Sequence, residues 1–268
     1  MPSLPSPRLP NELFELIVDY IEDSDTMRQC CLAGSCLLPY AQRALFEEVR
    51  LLIGPSRSNN VAKMLECYTT RPYAQYARHL VIKYCGYRYR GKHALSDYPE
   101  LQKLVALLST CQQSIESAMT PSPTPASRIS SLYISDFSGS TEDFARIIRP
   151  FPRLTTLKCQ IKELSSGSSD SLNRFLASAP APPPIQELRF NLSHFRGLAS
   201  DVLFPPGTDV CLHSLTINHY VDMDLWNSIL RRAADVLENI SIRGHNTELE
   251  YRRSCPTRKA RPPADTQP

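Results

Sequence analysis

One short pattern, apolar-x-x-apolar-x-apolar, returns seven times along the chain: FEEVRL from 46, ARHLVI from 77, ISSLYI from 129, LTTLKC from 154, IQELRF from 185, LHSLTI from 212 and LENISI from 237. The last five copies begin 25, 31, 27 and 25 residues apart, and the 52 residues between the second and third copies make two such periods. A period of this size constrains the fold severely. Each unit is one supersecondary element, too small to bury its own apolar face, so it must stack on its neighbours. The stretches between copies (NNVAKMLECY, ELQKLVALLSTC, STEDFARIIR, SDSLNRFLAS and DMDLWNSILRRAADVL) show helical apolar spacing, several after Ser, Thr, Asn or Asp caps. Strand–helix units at a fixed period predict an α/β chain. Parallel strands are expected to stack on a concave side, with helices covering the convex side. In each copy the first, fourth and sixth positions are expected in the core, and the third, fifth and seventh on the concave surface.

Composition narrows what such a chain does. Thirty basic residues stand against 27 acidic ones, a net charge of +3. That balance gives no clustered basic face, so nucleic acid is not an expected partner. No apolar run reaches the roughly 18 residues that span a bilayer, and the opening MPSLPSPRLP carries no signal-type apolar region. No membrane association is expected, and the reading is a cytoplasmic or nuclear protein. Nine cysteines, an odd number without any C-x-x-C pair, read as reduced thiols, several of them small core residues; no metal site is expected. Motifs for phosphate loops, serine nucleophiles and zinc hydrolases are absent, so no enzyme activity and no cofactor is expected. His79 and Cys85, which could in principle form an acyl-attacking pair, are read as ordinary surface and core residues. YCGYRYRGKH, from 84, is read as a solvated loop.

The first fifty residues have a different character. Leu13, Ile17, Tyr20 and Ile21 recur at helical spacing with Leu16 beside them, and Pro10 suits a first helical turn. Ser24 or Asp25 offers a cap for a second helix carrying Met27, Cys30, Cys31 and Leu32. A third follows Pro39, with Ala41, Ala44, Leu45 and Phe46. Three such helices make a core below the size that folds alone, so the unit must borrow apolar partners.

The stretch LPNELFELIVDYIEDSDTMRQCCLAGSCLLPYAQRALFEEVRL resembles an F-box, particularly the form abundant in mushroom-forming fungi. Leu9, Pro10, Glu12, Leu13, Ile17, Ile21, Cys30, Leu32, Leu45, Phe46, Val49 and Leu51 stand where that pattern wants them. The pattern's Cys-Arg-x-Trp is replaced by Gly34, Ser35, Cys36 and Leu37. The resemblance implies docking on the Skp adaptor of a cullin–RING ubiquitin ligase through Leu9, Pro10, Glu12, Leu13, Ile17, Leu32 and Leu37. The strand–helix units resemble the irregular leucine-rich repeats that commonly follow an F-box. Such repeats carry a polar ladder residue three places after the last apolar position. Here Phe137, Lys162, Ser193, Tyr220 and His245 occupy that place, and no closing cap follows the seventh motif.

The expected architecture is therefore a short three-helix F-box-like unit over 9–50 and a leucine-rich-repeat-like solenoid over 46–250. The solenoid is interrupted by a Pro-rich insertion near 117–128, and disordered ends cover 1–8 and the basic 251–268. Its concave face presents Lys83, Tyr133, Lys158, Arg189 and Arg243, a basic bias suited to an acidic or phosphorylated segment of a protein substrate. A solvated sheet face explains the same polar residues equally well. The implied function is a non-catalytic substrate receptor of the ligase. The alternative is a repeat scaffold whose degenerate F-box no longer binds the adaptor.

Overall fold

The computed structural model describes residues 10–54, 58–70, 72–85, 98–110, 128–165, 169–192, 202–218, 223–243 and 248–252. The expected insertion (apart from Arg128), both expected disordered ends (apart from Tyr251 and Arg252) and the loop from 86 lie outside the described residues.

Three helices come first: α1 (Asn11–Asp19), α2 (Ser24–Ala33) and α3 (Leu38–Glu47). Strands and helices then alternate as β1 (Glu48–Ile53), α4 (Ser58–Thr70), β2 (His79–Tyr84), α5 (Pro99–Thr110), β3 (Ser131–Ser140), α6 (Thr141–Ile148), β4 (Thr156–Ser165) and α7 (Ser169–Ser178). The chain continues through β5 (Glu187–Leu192), β6 (Ser214–Asn218), α8 (Met223–Ala233), β7 (Asn239–Arg243) and β8 (Glu248–Arg252). All eight strands form one open sheet in chain order, β1 to β7 parallel and β8 antiparallel to β7.

The strand motifs set the register. The fourth motif positions pair in one row across the sheet: Val49, Leu80, Leu132, Leu157, Leu188, Leu215 and Ile240. From β1 to β6 the fourth and sixth positions are almost wholly shielded from solvent, and at β7 Ile240 and Ile242 are half-buried. Right-handed crossovers that always step to the next strand on the same side place every helix on one face. The core agrees with that rule. Leu104 of α5, Phe144 and Ile147 of α6, Leu172 of α7 and Ile229 of α8 join the strand residues in one continuous cluster. Most parallel sheets are covered on both faces; here no described element covers the second one.

Of the five residues three places after a motif's last apolar position, Phe137 and Lys162 are described: Lys162 pairs with Asp136 at 2.9 Å, whereas Phe137 packs among aromatic rings. Phe137 is fully buried, with its ring 5.4 Å from Tyr84 and 6.0 Å from Phe144, which stands 6.3 Å from Phe190. Tyr84, the first residue of the segment read as a loop, is thus a core residue. Gly54 is required by close approach, since a Cβ there would lie 2.4 Å from the Cys85 carbonyl oxygen. Two arginines stitch the irregular connections to the helices. The buried guanidinium of Arg149 donates to the carbonyls of Pro180 (3.1 Å) and Val202 (2.8 Å), and burial pushes its pKa down. Arg232 donates to the carbonyls of Phe204 and Pro205, each at 2.9 Å.

Three expectations need correction. The last parallel strand is not the end of the sheet, because β8 pairs along it. Only four residues separate β7 from β8, too few for a parallel crossover, so the chain can only turn back. The cap of α2 is Asp23, ahead of both Ser24 and Asp25; its carboxylate accepts from the Thr26 N–H at 2.7 Å. The third helix begins at Leu38, so Pro39 lies inside its first turn, where a missing N–H costs nothing.

Candidate functional site

Two surfaces stand out. On α1, Phe14, Val18 and Ile21 turn inward: Val18 is buried, Ile21 packs beside it, and Phe14 stacks on Tyr40 of α3 with ring centroids 6.2 Å apart. The complementary stripe points to solvent, with Leu13 41%, Leu16 52%, Ile17 44% and Tyr20 85% exposed. A helix in a finished surface layer has a polar outer face. This one carries apolar residues on its outer side as well as its inner one, and the exposed ones are contiguous.

Of the residues expected at an adaptor interface, Pro10, Glu12, Leu13 and Ile17 are exposed on or beside this stripe, and Leu32 is 80% exposed on α2. Leu37 behaves differently. It is half-buried against the small cluster of Val18, Met27 and Ala41, so it holds the helices together. Leu9 lies outside the described residues. Leu16 and Tyr20, which the motif match left out, extend the stripe by the i, i+3, i+4, i+7 rule.

The second surface is the uncovered sheet face. Its residues pair in three rows. The third motif positions run Glu48, His79, Ser131, Thr156, Glu187, Ser214, Asn239. The fifth run Arg50, Val81, Tyr133, Lys158, Arg189, Thr216, Ser241. The seventh run Leu52, Lys83, Ser135, Gln160, Asn191, Asn218, Arg243. All are exposed or half-buried except Ser135.

The charges on this face are less free than their count suggests. Arg189 is held by Glu187, two residues earlier on the same strand, at 2.7 Å, and Arg50 is held in the same way by Glu48. Both acids are third-position residues, two places before a fifth-position arginine; period-2 alternation alone puts each pair on one face. The basic character therefore concentrates at Lys83 and Lys158, whose strands flank the strand of Tyr133, itself 37% exposed; Arg243 is exposed on β7. Next to this pair, β3 bulges at Asp136, which adopts a left-handed φ of 60°. Burial pushes the Asp136 carboxyl up, but the Lys162 ammonium at 2.9 Å, the Ser135 hydroxyl at 2.9 Å and the field of Lys83 outweigh it. The result lies below the usual carboxylate range.

His79 and Cys85 do not meet. They stand at the start and just past the end of β2, about 20 Å apart at 3.3 Å per residue. Among the described residues no group of three His, Cys, Asp or Glu side chains is placed to hold a metal ion, and no helix is long and apolar enough to cross a membrane. The described cysteines are free thiols, with Cys159 buried and Cys36 and Cys211 exposed.

No protein-family model matches the chain, and a search of curated proteins returns no match.

Proposed function

We propose that the chain is a non-catalytic substrate receptor of a Skp–cullin–F-box ubiquitin ligase. Helices α1 to α3 act as the F-box-like unit that docks the Skp adaptor. The stacked strand–helix units, read as irregular leucine-rich repeats, hold a protein substrate on the uncovered sheet face. Catalysis belongs to the recruited conjugating enzyme, and the site of action is cytoplasmic or nuclear.

The observation that carries this reading is the exposed stripe of Leu13, Leu16, Ile17 and Tyr20 on a helix whose other side already closes a core. A cap that merely closed the sheet would turn such a stripe inward. An amphipathic helix face offering i, i+3, i+4, i+7 anchors is a standard way to engage a partner groove. On the sheet face, Lys83, Tyr133 and Lys158 are the residues proposed to meet the substrate, with Arg189 and Arg243 on the strands beyond. The second reading, a repeat scaffold without adaptor binding, is favoured by one feature. Leu37, standing where the family has a large aromatic, is drawn into the helical core and contributes little surface.

The deciding experiment is binding of a purified fungal Skp adaptor to the wild-type chain and to a Leu13→Asp, Ile17→Asp double variant. Binding by the wild type that falls at least about a hundredfold in the variant, nearly 3 kcal/mol, supports the receptor. A folded wild-type chain that leaves the adaptor unbound removes this reading and leaves the scaffold.

A further inference from the structure

Among the described residues the sheet begins at β1, whose outer edge is unpaired. Glu47 and Ile53 direct their carbonyls at β2, accepting from Arg78 at 2.9 Å and Cys85 at 2.6 Å. Alternation along the strand then sends the N–H and C=O groups of Glu48, Arg50 and Leu52 away from β2. Among the described residues no strand pairs with that outer side. An unpaired strand edge is a template for another extended segment.

Beside this edge runs a groove of about 760 Å³ between β1 and the turn joining α1 to α2. Its floor includes Val18, Ile21, Met27 and Leu45, and Glu48 and Arg50 form the β1 wall. Its rim is acidic through Asp19, Glu22 and Asp23. The two arginines that also line it are already engaged, Arg28 by Asp25 and Arg50 by Glu48. None of the exposed α1 stripe residues lines the groove, so the two surfaces are built from different side chains.

The charge selects a basic occupant, and the chain itself supplies one. Residues 253–268 carry Arg253, Arg258, Lys259 and Arg261 against a single acid, Asp265. Thr257 to Arg261 is a five-residue run free of proline, bounded by Pro256 and Pro262, and matches the length of the open Glu48–Leu52 edge. Proline has no N–H to donate, so this run is the part of the segment able to add as a strand. It cannot reach its own groove. Arg252 lies in the same pairing row as Glu48 but seven strand spacings away, about 34 Å at 4.8 Å each. The five steps from Arg252 to Thr257 span at most about 18 Å.

We propose that the groove beside β1 receives residues 257–261 of a second copy of the chain, which add to β1 as an outer strand and link copies head to tail. The backbone edge supplies the hydrogen bonds, and the acidic rim selects the basic register. The link joins two different surfaces, so it propagates along a row of molecules rather than closing a dimer.

The test uses the full chain. A labelled peptide of residues 253–268 is titrated with a full-length receptor carrying Arg258→Glu, Lys259→Glu and Arg261→Glu, so that its own ends do not compete. Sedimentation velocity of the wild type over a wide concentration range follows self-association. The expected result is saturable peptide binding that weakens at least about tenfold in high salt and in an Asp19→Lys, Glu22→Lys receptor. Wild-type association is expected to be lost in both sets of variants. Arg50→Pro removes one outward N–H without touching the ladder to β2 and also frees Glu48, which by charge alone would favour a basic peptide; binding that weakens about tenfold with unchanged circular dichroism is therefore the expected mark of the backbone edge. A scrambled peptide of equal composition that binds as well overturns strand addition. A native peptide left unbound by a folded receptor, or bound no better than an unrelated lysine-rich peptide, overturns the second copy as occupant.

Discussion

The strand stack and the three N-terminal helices bury apolar side chains on very different scales. In the stack, each motif contributes residues at the same positions, and stacking joins them into one cluster running from Val49 to Leu237. Among the described residues of the helices, only Val18, Met27 and Ala41 are buried, with Cys30, Leu37, Tyr40 and Leu45 among the partly shielded residues around them. Repetition makes the first core large because every added unit covers the exposed face of the one before. The helical unit has no such neighbour. It is tied to the stack chiefly at Phe46, whose ring stacks on Tyr73 at 3.8 Å and meets Tyr68 edge-on at 6.1 Å. The adjoining backbone bond from the Arg78 N–H to the Glu47 carbonyl, at 2.9 Å, closes the same junction. The helices therefore hold a fixed place while keeping one apolar side uncovered.

The largest effect is expected in the stack. Phe137→Ala removes the ring that contacts both Tyr84 and Phe144 and should cost about 3–5 kcal/mol in denaturant unfolding. A much smaller loss would mean the stack is packed loosely and would break the contrast. Next comes Phe46→Ala, expected to cost about 2–4 kcal/mol. Its distinguishing signature is hydrogen exchange: α1 to α3 should lose protection while β3 and β4 keep theirs, because the junction fails before either core does. Uniform loss of protection would show the two regions to be one cooperative unit.

Within α1, two neighbouring substitutions sharpen the picture. Val18→Ala should cost about 1–2 kcal/mol, whereas Ile17→Ala should stay within about 0.5 kcal/mol, because one side chain is buried and the next is exposed. Equal costs would mean that something covers the stripe in solution.

The smallest effect concerns pH. Glu142 on α6 accepts from the Ser171 hydroxyl at 2.6 Å and from Arg146 at 2.7 Å, and these hold its carboxyl below the usual range. A carboxyl depressed in the folded state stabilises fully above its unfolded value, near 4.3, and that contribution is lost as pH falls through the folded value. Glu142→Gln should therefore lower Tm at pH 7 by the equivalent of about 0.5–1 kcal/mol, and the gap to wild type should close toward pH 3. A gap that persists in acid would assign the effect to packing instead.

Much of this architecture can be read from the residues. The motif positions from Val49 to Ile242, the helices between them and the rows they place on the open face follow from periodicity, because stacking identical units forces identical register. Pairing Arg189 with Glu187 was within reach of the same alternation, but it requires counting the third motif position along with the fifth and seventh. Strand β8 was not legible, since its five residues lack the motif and its direction follows only from the shortness of the turn before it. Nor was the bulge at Asp136, whose left-handed backbone has no glycine to announce it.

Apolar spacing alone requires this chain to stack strand–helix units in order, because no unit can bury its own apolar face. Packing against α3 settles which side of α1 turns inward. That helix is apolar over more than half its circumference, so its own pattern serves either orientation. Tyr40, Ala41 and Ala44 of α3 select Phe14, Val18 and Ile21 and leave Leu13, Leu16, Ile17 and Tyr20 to solvent. Local periodicity fixes what a segment can bury; the shape of the neighbouring element fixes what it does bury.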